Sequence, residues 1–292
     1  MITRKSLAII AIALTSLLIV SCKKDNGNPT IKFVPGPEFT GKDTMMLVND
    51  TLVVTLEVNW NGVDVLKLLD VKLNDNTIQT FNLGGERAVF DLNLMKGTDE
   101  TEKWSFVIMD VEGNMSSVNL TLTKDPRSKF DAIVYYSSVT LGAQTNPSKA
   151  GFLSFQTEPA SIFNLVDAYT NQAKIDLLCY FDQLTHSTLA SPGSDIPENL
   201  YPGSRTIDLW AVRTITAFMK SDMTVQDFIT MGNDAPVVNS WSDSHSVTKA
   251  GDLKVDDIWL IKLQSGKRGA VLVKRIVAGE DGEIELAIKI QK

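Results

Sequence analysis

The chain of 292 residues carries a formal net charge of −7, and 43% of its residues are hydrophobic, which suits one large or two ordinary globular domains. It has no basic block, so it lacks the clustered Lys and Arg that the phosphates of nucleic acids require, and a nucleic-acid partner is not expected. The same acidic balance argues against adhesion to an anionic lipid surface.

The first element is typical of an export signal. Arg4 and Lys5 precede an apolar run at residues 7–20, which is shorter than the roughly 20 residues that a membrane-spanning helix needs. The run ends in "LIVSC", which resembles the lipobox of bacterial lipoproteins, with an apolar residue three positions before Cys22 and a small residue just before it. That resemblance implies a signal peptide at residues 1–21 and lipidation of Cys22. The alternative is an ordinary secretory signal followed by a chance cysteine.

Residues 22–39 are predicted to form a flexible tether. The segment "KKDNGNPT" is charged and then rich in Asn, Gly and Pro, a composition that buries too little apolar surface to order itself. Lipoproteins of this kind carry several acyl chains, and each buried CH₂ contributes about 0.8 kcal/mol to anchoring. Lys23 does not resemble the enterobacterial signal for inner-membrane retention, and "KKD" resembles the tails of Bacteroidetes surface lipoproteins. These resemblances imply an outer-membrane lipoprotein exposed at the cell surface, with a periplasm-facing orientation left open.

Residues 40–124 are predicted to form a β-sandwich. The segment "LVVTLEVNW" at residues 52–60 alternates apolar and polar side chains, as a half-buried strand does. Similar alternation recurs at residues 88–94, 104–109 and 118–123, and turn-forming clusters between the runs leave room for roughly seven short strands. The segment "WSFVIMDVEGNMSSVNLTLT" resembles the last two strands of immunoglobulin-like bacterial surface modules. That resemblance implies a spacer or a binding platform.

Residues 129–292 are predicted to form an α+β domain built on an antiparallel sheet, after a boundary at Pro126. Residues 131–142, 151–157 and 174–181 favour strands. A short helix is expected after Thr224, with Asp227 completing a capping box and Gly232 ending the helix. The chain then closes with a three-stranded antiparallel meander at residues 256–291, whose last hairpin turns at Asp281-Gly282.

Several segments of this second domain resemble the C-terminal regions of uncharacterised Bacteroidetes surface lipoproteins. They are "NQAKIDLLCYF", "TLASPGSD", "RTITAFM" and "DIWLIKLQSGKRGAVLVKRI". The resemblance implies an address and no particular activity. Cys179 lies in one of these apolar runs, and with Cys22 acylated it has no cysteine left for an internal disulfide, so a buried, inert thiol is expected.

The sequence contains no recognisable catalytic constellation. Its two histidines, His186 and His245, lie in polar, Ser-rich segments without a nucleophile elbow, and they are too few for a typical zinc site. Phosphate-binding glycine loops are also missing, so no cofactor is expected. We therefore predict a non-enzymatic binding or adhesion protein. An envelope glycan hydrolase using paired carboxylates is the alternative, because an acidic chain can always supply such a pair.

Exposed aromatic side chains are the best guide to a ligand, because a pyranose ring stacks its C–H face on an aromatic ring. Trp241 is the first candidate, since it stands in a polar segment with Asn239, Asp243 and His245. Tyr201 in "NLYPGSR" is the second. The other four tryptophans lie beside apolar residues and are expected in the core: Trp60, Trp104, Trp210 and Trp259. A glycan is thus one expected partner, and another envelope protein, with this chain as its scaffold, is a second.

Two tripeptides, "DTM" and "DTL", match the acceptor pattern for O-glycosylation of exported Bacteroidetes proteins. They make Thr44 and Thr51 candidate acceptors. Such tripeptides also arise often by chance.

Overall fold

The structure is a computed structural model that describes residues 27–36, 41–60, 65–198, 200, 201, 203 and 205–292. The predicted signal peptide and Cys22 lie outside the described residues. Within them the chain is mainly β, with eighteen strands and three short α-helices. The predicted fold class, mainly β with some α, is confirmed.

The N-terminal strands form a three-stranded sheet in the order β1-β3-β6 and a five-stranded sheet in the order β2-β8-β7-β4-β5. Val54 and Val58 of β3 are fully buried, and the rings of Phe33 and Phe106, one from each sheet, lie 5.8 Å apart edge to face. The two sheets therefore pack as the predicted sandwich. Their strands are β1 Thr30–Val34, β2 Thr44–Met46, β3 Thr51–Asn59, β4 Leu66–Leu73, β5 Asn76–Asn82, β6 Arg87–Met95, β7 Thr101–Asp110 and β8 Met115–Lys124.

The predicted tether is wrong for Thr30–Val34. These residues form β1, which pairs antiparallel with β3 from Thr30 opposite Asn59 to Val34 opposite Thr55. Ile31 is buried in the sandwich. The polar composition just before Thr30 hid the short alternation of Ile31 and Phe33, which is enough to add an edge strand to a sheet whose core already exists.

The C-terminal region contains two five-stranded sheets, in the orders β11-β10-β12-β13-β15 and β14-β16-β17-β18-β9. The predicted meander is confirmed, because β16, β17 and β18 are consecutive antiparallel neighbours. The strands are β9 Ile133–Gly142, β10 Phe152–Ser154, β11 Ser161–Phe163, β12 Leu177–Asp182, β13 His186–Ala190, β14 Ala217–Lys220, β15 Lys249–Ala250, β16 Ile258–Lys262, β17 Arg268–Val277 and β18 Glu283–Gln291. The helices are α1 Leu165–Thr170, α2 Val225–Thr230 and α3 Ala235–Ser240.

The last strand, β18, is covered on both faces. Ile284, Leu286, Ile288 and Ile290 share one face and are buried, as their alternation predicts. On the other face Lys289 is only 6% exposed, and its Nζ donates to the carbonyl oxygens of Ile229 and Met231, each at 2.8 Å. Those carbonyls lie at the end of α2, where a cation is favoured. Burial lowers the pKa of Lys289.

The capping box predicted for α2 is present: Thr224 accepts from the Asp227 N–H, and the Asp227 carboxylate accepts from the Thr224 N–H. The helix ends at Thr230 with Met231 as its C-cap, so Gly232 directly follows the cap, and the predicted end of the helix is confirmed. The turn between β17 and β18 differs from the predicted one in which glycine adopts the positive φ. That φ, 122°, belongs to Gly279. Gly282 is required for another reason, because a Cβ there would clash with the carbonyl oxygen of Val277.

The chain divides into two compact units that are not continuous in sequence. Unit 1 comprises Met1–Lys42, Val53–Asn93 and Lys103–Leu120, and unit 2 comprises Asp43–Leu52, Leu94–Glu102 and Thr121–Lys292. This division differs from the single boundary near residue 126 that the sequence predicts. Within unit 2 the Asn233 side-chain amide donates to Asn49 Oδ1 at 2.8 Å, a contact that spans 184 residues and that local sequence patterns do not reveal.

A buried ion pair stabilises the β6–β7 connection, which the sequence analysis treated only as a turn. Lys96 is fully buried, and its Nζ lies 3.0 Å from Glu102 Oε1. The ammonium also donates to the carbonyl oxygens of Gly97 at 3.0 Å and Asp99 at 2.5 Å. These three acceptors match the three donors of a lysine ammonium, so the charge is buried without an unsatisfied donor.

We expect Lys96→Met to lower the free energy of unfolding by about 3–5 kcal/mol, because the substitution leaves the Glu102 carboxylate buried without its cation. Urea denaturation followed by tryptophan fluorescence measures the change. Lys103→Met is the matched control, since Lys103 is exposed and its loss should change stability by no more than about 0.5 kcal/mol. Equal effects of the two substitutions would contradict a stabilising role for the ion pair.

Candidate functional site

Four of the five ligand-binding candidates lie on one short segment that follows α3. Pro236 occupies the first turn of α3, where a missing N–H is tolerated, and Asn239 is exposed near the end of this helix. Trp241 is the C-cap residue. The chain then makes a 3₁₀ turn, Asp243–His245, in which both named side chains are exposed. The four residues Asn239, Trp241, Asp243 and His245 therefore share one short segment, and a hydrogen bond joins Trp241 to Asp243.

The Trp241 indole is held in place by packing and by a hydrogen bond. Its ring is half-buried and packs against the apolar cluster formed by α2, α3 and the C-terminal meander. Its Nε1 donates to Asp243 Oδ1 at 2.8 Å, and Lys262 Nζ lies 2.8 Å from the same oxygen. The Lys262 ammonium, and after it the Trp241 N–H, lower the pKa of Asp243. The carboxylate therefore stays ionised near neutral pH and keeps orienting the indole.

This arrangement can offer a ligand an apolar ring beside polar groups. Because the Trp241 N–H is already bonded to Asp243, only the ring of Trp241 remains for a ligand. Asn239 and His245 provide exposed hydrogen-bonding side chains on the same segment. A ring with such neighbours has the chemistry to stack on the C–H face of a sugar and to bond its hydroxyls.

Tyr201 is not part of this site, and its prediction as an exposed ligand-stacking residue is wrong. Tyr201 is 3% exposed, its hydroxyl donates to the Cys179 carbonyl oxygen at 3.0 Å, and its ring lies 5.2 Å from that of Phe152. Burial raises the pKa of Tyr201 well above its usual range. The polar residues around Tyr201 concealed a core position, because long-range packing decides its burial.

The buried thiol expected at Cys179 is confirmed, and burial raises the pKa of Cys179 to about 12. Trp60, Trp104 and Trp210 are also buried, as predicted. Trp259 is only half-buried, and Lys220 Nζ lies 5.3 Å from the centre of its ring.

Both histidines are exposed, as the sequence analysis expected. His186 Nδ1 lies 3.2 Å from Asp252 Oδ1, and Lys254 Nζ lies 3.5 Å from the other oxygen of that carboxylate. In the part of the chain that the structure describes, no group of three or more His, Cys, Asp or Glu side chains is placed to hold a metal ion. The helices of that same part are all too short or too polar to span a membrane.

Unit 2 also contains a cleft of about 480 Å³ at the turn between β16 and β17, which the sequence did not predict. Its lining includes Phe155, Gln156, Asp176, Thr214, Gln264 and Lys267. Asp176 is only 5% exposed, and its Oδ2 accepts from the Phe155 N–H at 2.6 Å. Burial raises the pKa of Asp176 to about 6, against the opposing effects of the Phe155 N–H and Lys267.

One feature of the sequence indicates this cleft. Asp176 begins the apolar run "DLLCYF", and an acidic residue next to a buried strand is rarely fully buried unless a partner or a function retains it.

Substituting Asp176 should change how stability depends on pH. The native pKa of about 6 lies above the ordinary 3.8, so the native state binds the proton more tightly, and stability falls as pH rises from about 4 to 6. The full effect of this shift is about 3 kcal/mol. We expect Asp176→Asn to gain stability relative to the wild type as pH rises through that window, by up to this amount.

Urea denaturation at about pH 4 and pH 7.5 tests this expectation. Asp222→Asn is the control for the loss of one negative charge, because Asp222 is exposed. If Asp176→Asn and the wild type differ by the same amount at both pH values, the buried carboxyl does not titrate as described.

Comparisons with known proteins find likenesses among solved structures. No protein-family model and no curated protein matches it. A DUF4466 family protein from Parabacteroides merdae, a Bacteroidetes species, is 12% identical over 91% of this chain and 99% of its own, with a TM-score of 0.49.

Two matches cover only a third of the chain. Fibronectin(III)-like modules of Clostridium thermocellum CbhA are 9% identical over 33% of this chain and 97% of their own, with a TM-score of 0.25. A CARDB domain from Pyrococcus furiosus is 11% identical over 33% and 94%, also with a TM-score of 0.25. These likenesses assign no family and no activity to the chain.

Proposed function

We propose that this chain is a lipid-anchored cell-surface binding protein, not an enzyme, and that it binds a glycan at Trp241. The observation that carries the proposal is the fixed indole, which packs against the apolar cluster and donates its N–H to Asp243. A ring that is already oriented loses little conformational freedom on binding, so more of the contact energy appears as affinity.

The proposed address rests on the N-terminal motif. Lipidation of Cys22 attaches the chain to a membrane, and the residues after it separate the folded units from the lipid surface. The immunoglobulin-like sandwich then acts as a spacer or as a binding platform. This order suits a receptor whose ligand approaches from outside the cell.

The position of His186 favours binding over catalysis by an activated serine or cysteine, for which histidine is the usual base. In the described residues His186 pairs with Asp252 and not with a Ser or Cys nucleophile. The alternative, an envelope glycan hydrolase, is favoured by one observation: Asp176 lines a cleft with a pKa raised to about 6, as a general acid requires. Such an enzyme needs a second carboxylate about 5–9.5 Å away.

A scaffold for another envelope protein is the second alternative. The edge strand β5 favours it, because all of its residues except Phe81 are exposed, and Ile78 is 53% exposed. An open strand edge can accept a strand from a partner.

A glycan array tests the main proposal with a soluble chain that begins at Asn26, so that every described strand is kept. We expect the wild type to bind a subset of glycans and Trp241→Ala to weaken that binding by at least about tenfold, since stacking contributes about 0.5–1.5 kcal/mol beyond the buried area of the ring. Tyr201→Phe is the matched control, because it removes one aromatic hydroxyl from the core and should leave binding unchanged.

Thermal melting of each variant separates loss of the site from loss of the fold. Binding that survives Trp241→Ala in a folded chain would contradict a site at Trp241. If no glycan binds to the wild type, the ligand is not a glycan, and the scaffold alternative gains support.

Mass spectrometry of protein from its native host tests the proposed address and modification. We expect an acylated N-terminal peptide beginning at Cys22, and added sugar on the peptide that contains Thr44 and Thr51. Thr51 is exposed and Thr44 is half-exposed, so a transferase can reach both. Cys22→Ser should move the chain from the membrane fraction to the soluble fraction. An unmodified Cys22 would contradict the anchor, and an unmodified threonine peptide would contradict the glycosylation.

A further inference from the structure

The cleft at Asp176 has the properties of a binding site in its own right. It measures about 480 Å³, and an adjoining hollow of about 220 Å³ shares Phe155, Gln156 and Lys267 with it. Small-ligand sites typically occupy about 300–1,000 Å³. None of the residues that line either space is a member of the segment around Trp241.

The backbone of Asp176 is held by hydrogen bonds, but its carboxylate has only one hydrogen-bond donor. Its N–H donates to the Leu153 carbonyl at 2.9 Å, and its own carbonyl accepts from Thr216 Oγ1 at 2.6 Å. Oδ2 accepts from the Phe155 N–H at 2.6 Å, whereas Oδ1 accepts no hydrogen bond from any described residue. The side chain is about 95% buried and lines the cleft, so Oδ1 is an acceptor that a molecule in the cleft can satisfy.

The neighbouring side chains offer complementary groups. Gln264 uses its Oε1 to accept from the Ile215 N–H at 2.9 Å, which leaves its amide nitrogen as a donor. Gln156 uses its Nε2 to donate to the Ala173 carbonyl at 3.1 Å, which leaves its oxygen as an acceptor. Lys267 adds an exposed ammonium, and Phe155 adds an apolar wall.

The charges in the cleft favour neither a cation nor an anion. Its lining carries one acidic side chain, Asp176, and one basic side chain, Lys267, whose charges offset each other. A neutral molecule with both O–H and C–H surfaces matches the mixture of one acceptor, amide groups of both kinds and an aromatic wall.

We infer that this cleft is a second binding site, separate from the Trp241 site, for a neutral hydroxyl-rich ligand of about monosaccharide size, with Asp176 Oδ1 accepting from its hydroxyl groups. The fixed backbone of Asp176 orients the acceptor before the ligand arrives. The raised pKa agrees with this role, because a ligand hydroxyl supplies the donor that the buried carboxylate lacks.

The test is an NMR titration of the soluble chain beginning at Asn26, using methyl glycosides of galactose, mannose and N-acetylglucosamine as neutral probes. Methylammonium and acetate are the cationic and anionic comparisons. We expect at least one glycoside to shift the backbone amide of Phe155 and the side-chain amides of Gln156 and Gln264. We also expect Asp176→Asn to weaken the binding of that glycoside by about tenfold or more. The Phe155 N–H keeps the amide oxygen on its side, so the N–H₂ group, which cannot accept, takes the place of Oδ1.

Two further variants keep the result interpretable. Gln264→Ala changes an exposed side chain at the rim and should weaken binding even if Asp176→Asn folds poorly. Trp241→Ala should leave the titration unchanged, which separates this site from the one proposed above. The inference is overturned if no glycoside shifts these amides, if only methylammonium or acetate does so, or if folded Asp176→Asn and Gln264→Ala bind as the wild type does.

Discussion

Strand β18 pairs with both β17 and β9. The sheet β14-β16-β17-β18-β9 depends on these two pairings. Ile288 lies opposite Val271 on one side and opposite Tyr136 on the other, so the last strand joins a neighbouring hairpin to a strand about 150 residues earlier. Removing β18 would split the sheet into β9 and the β14-β16-β17 portion.

The two faces of β18 also position the candidate binding segment. Its inward face is apolar, and its outward face buries Lys289 against the end of α2. The cluster on that outward face includes residues of α2, α3 and β16–β18, and Trp241 packs against it. The short helices α2 and α3 bury the apolar residues on the outward face of the meander. This packing fixes the position of the Trp241 indole at the end of α3.

Three carboxylates in this protein differ in their burial and in their hydrogen-bond partners. Glu102 is buried with a lysine partner, which makes it a structural pair. Asp243 is exposed and bonded to both Lys262 and Trp241, so it orients an aromatic ring at no large desolvation cost. Asp176 is buried with a single hydrogen-bond donor to one of its oxygens. The third arrangement is costly for folding alone, which is why it points to a ligand.

Local patterns predicted much of the fold. The alternation in β3, β7 and β18, the capping box of α2 and the final meander depend on neighbours within a few residues, and the structure contains all of them. The failures share a non-local cause. The edge pairing of β1 depends on β3, and the burial of Tyr201 depends on Cys179 and Phe152.

The two candidate sites also differ in whether local sequence patterns reveal them. The residue types around Trp241 were adjacent in sequence and therefore visible. The cleft was not, because Phe155, Asp176 and Lys267 come from three distant segments and meet only in the folded unit.

The most direct test of a glycan receptor is the indole N–H region of a ¹⁵N-correlated NMR spectrum, recorded with the glycan that binds most tightly in an array. The Trp241 signal is assigned by its disappearance in Trp241→Phe. We expect the glycan to shift the Trp241 indole signal and to leave those of the buried Trp104 and Trp210 in place. An unchanged Trp241 signal at saturating glycan would contradict a glycan site at Trp241.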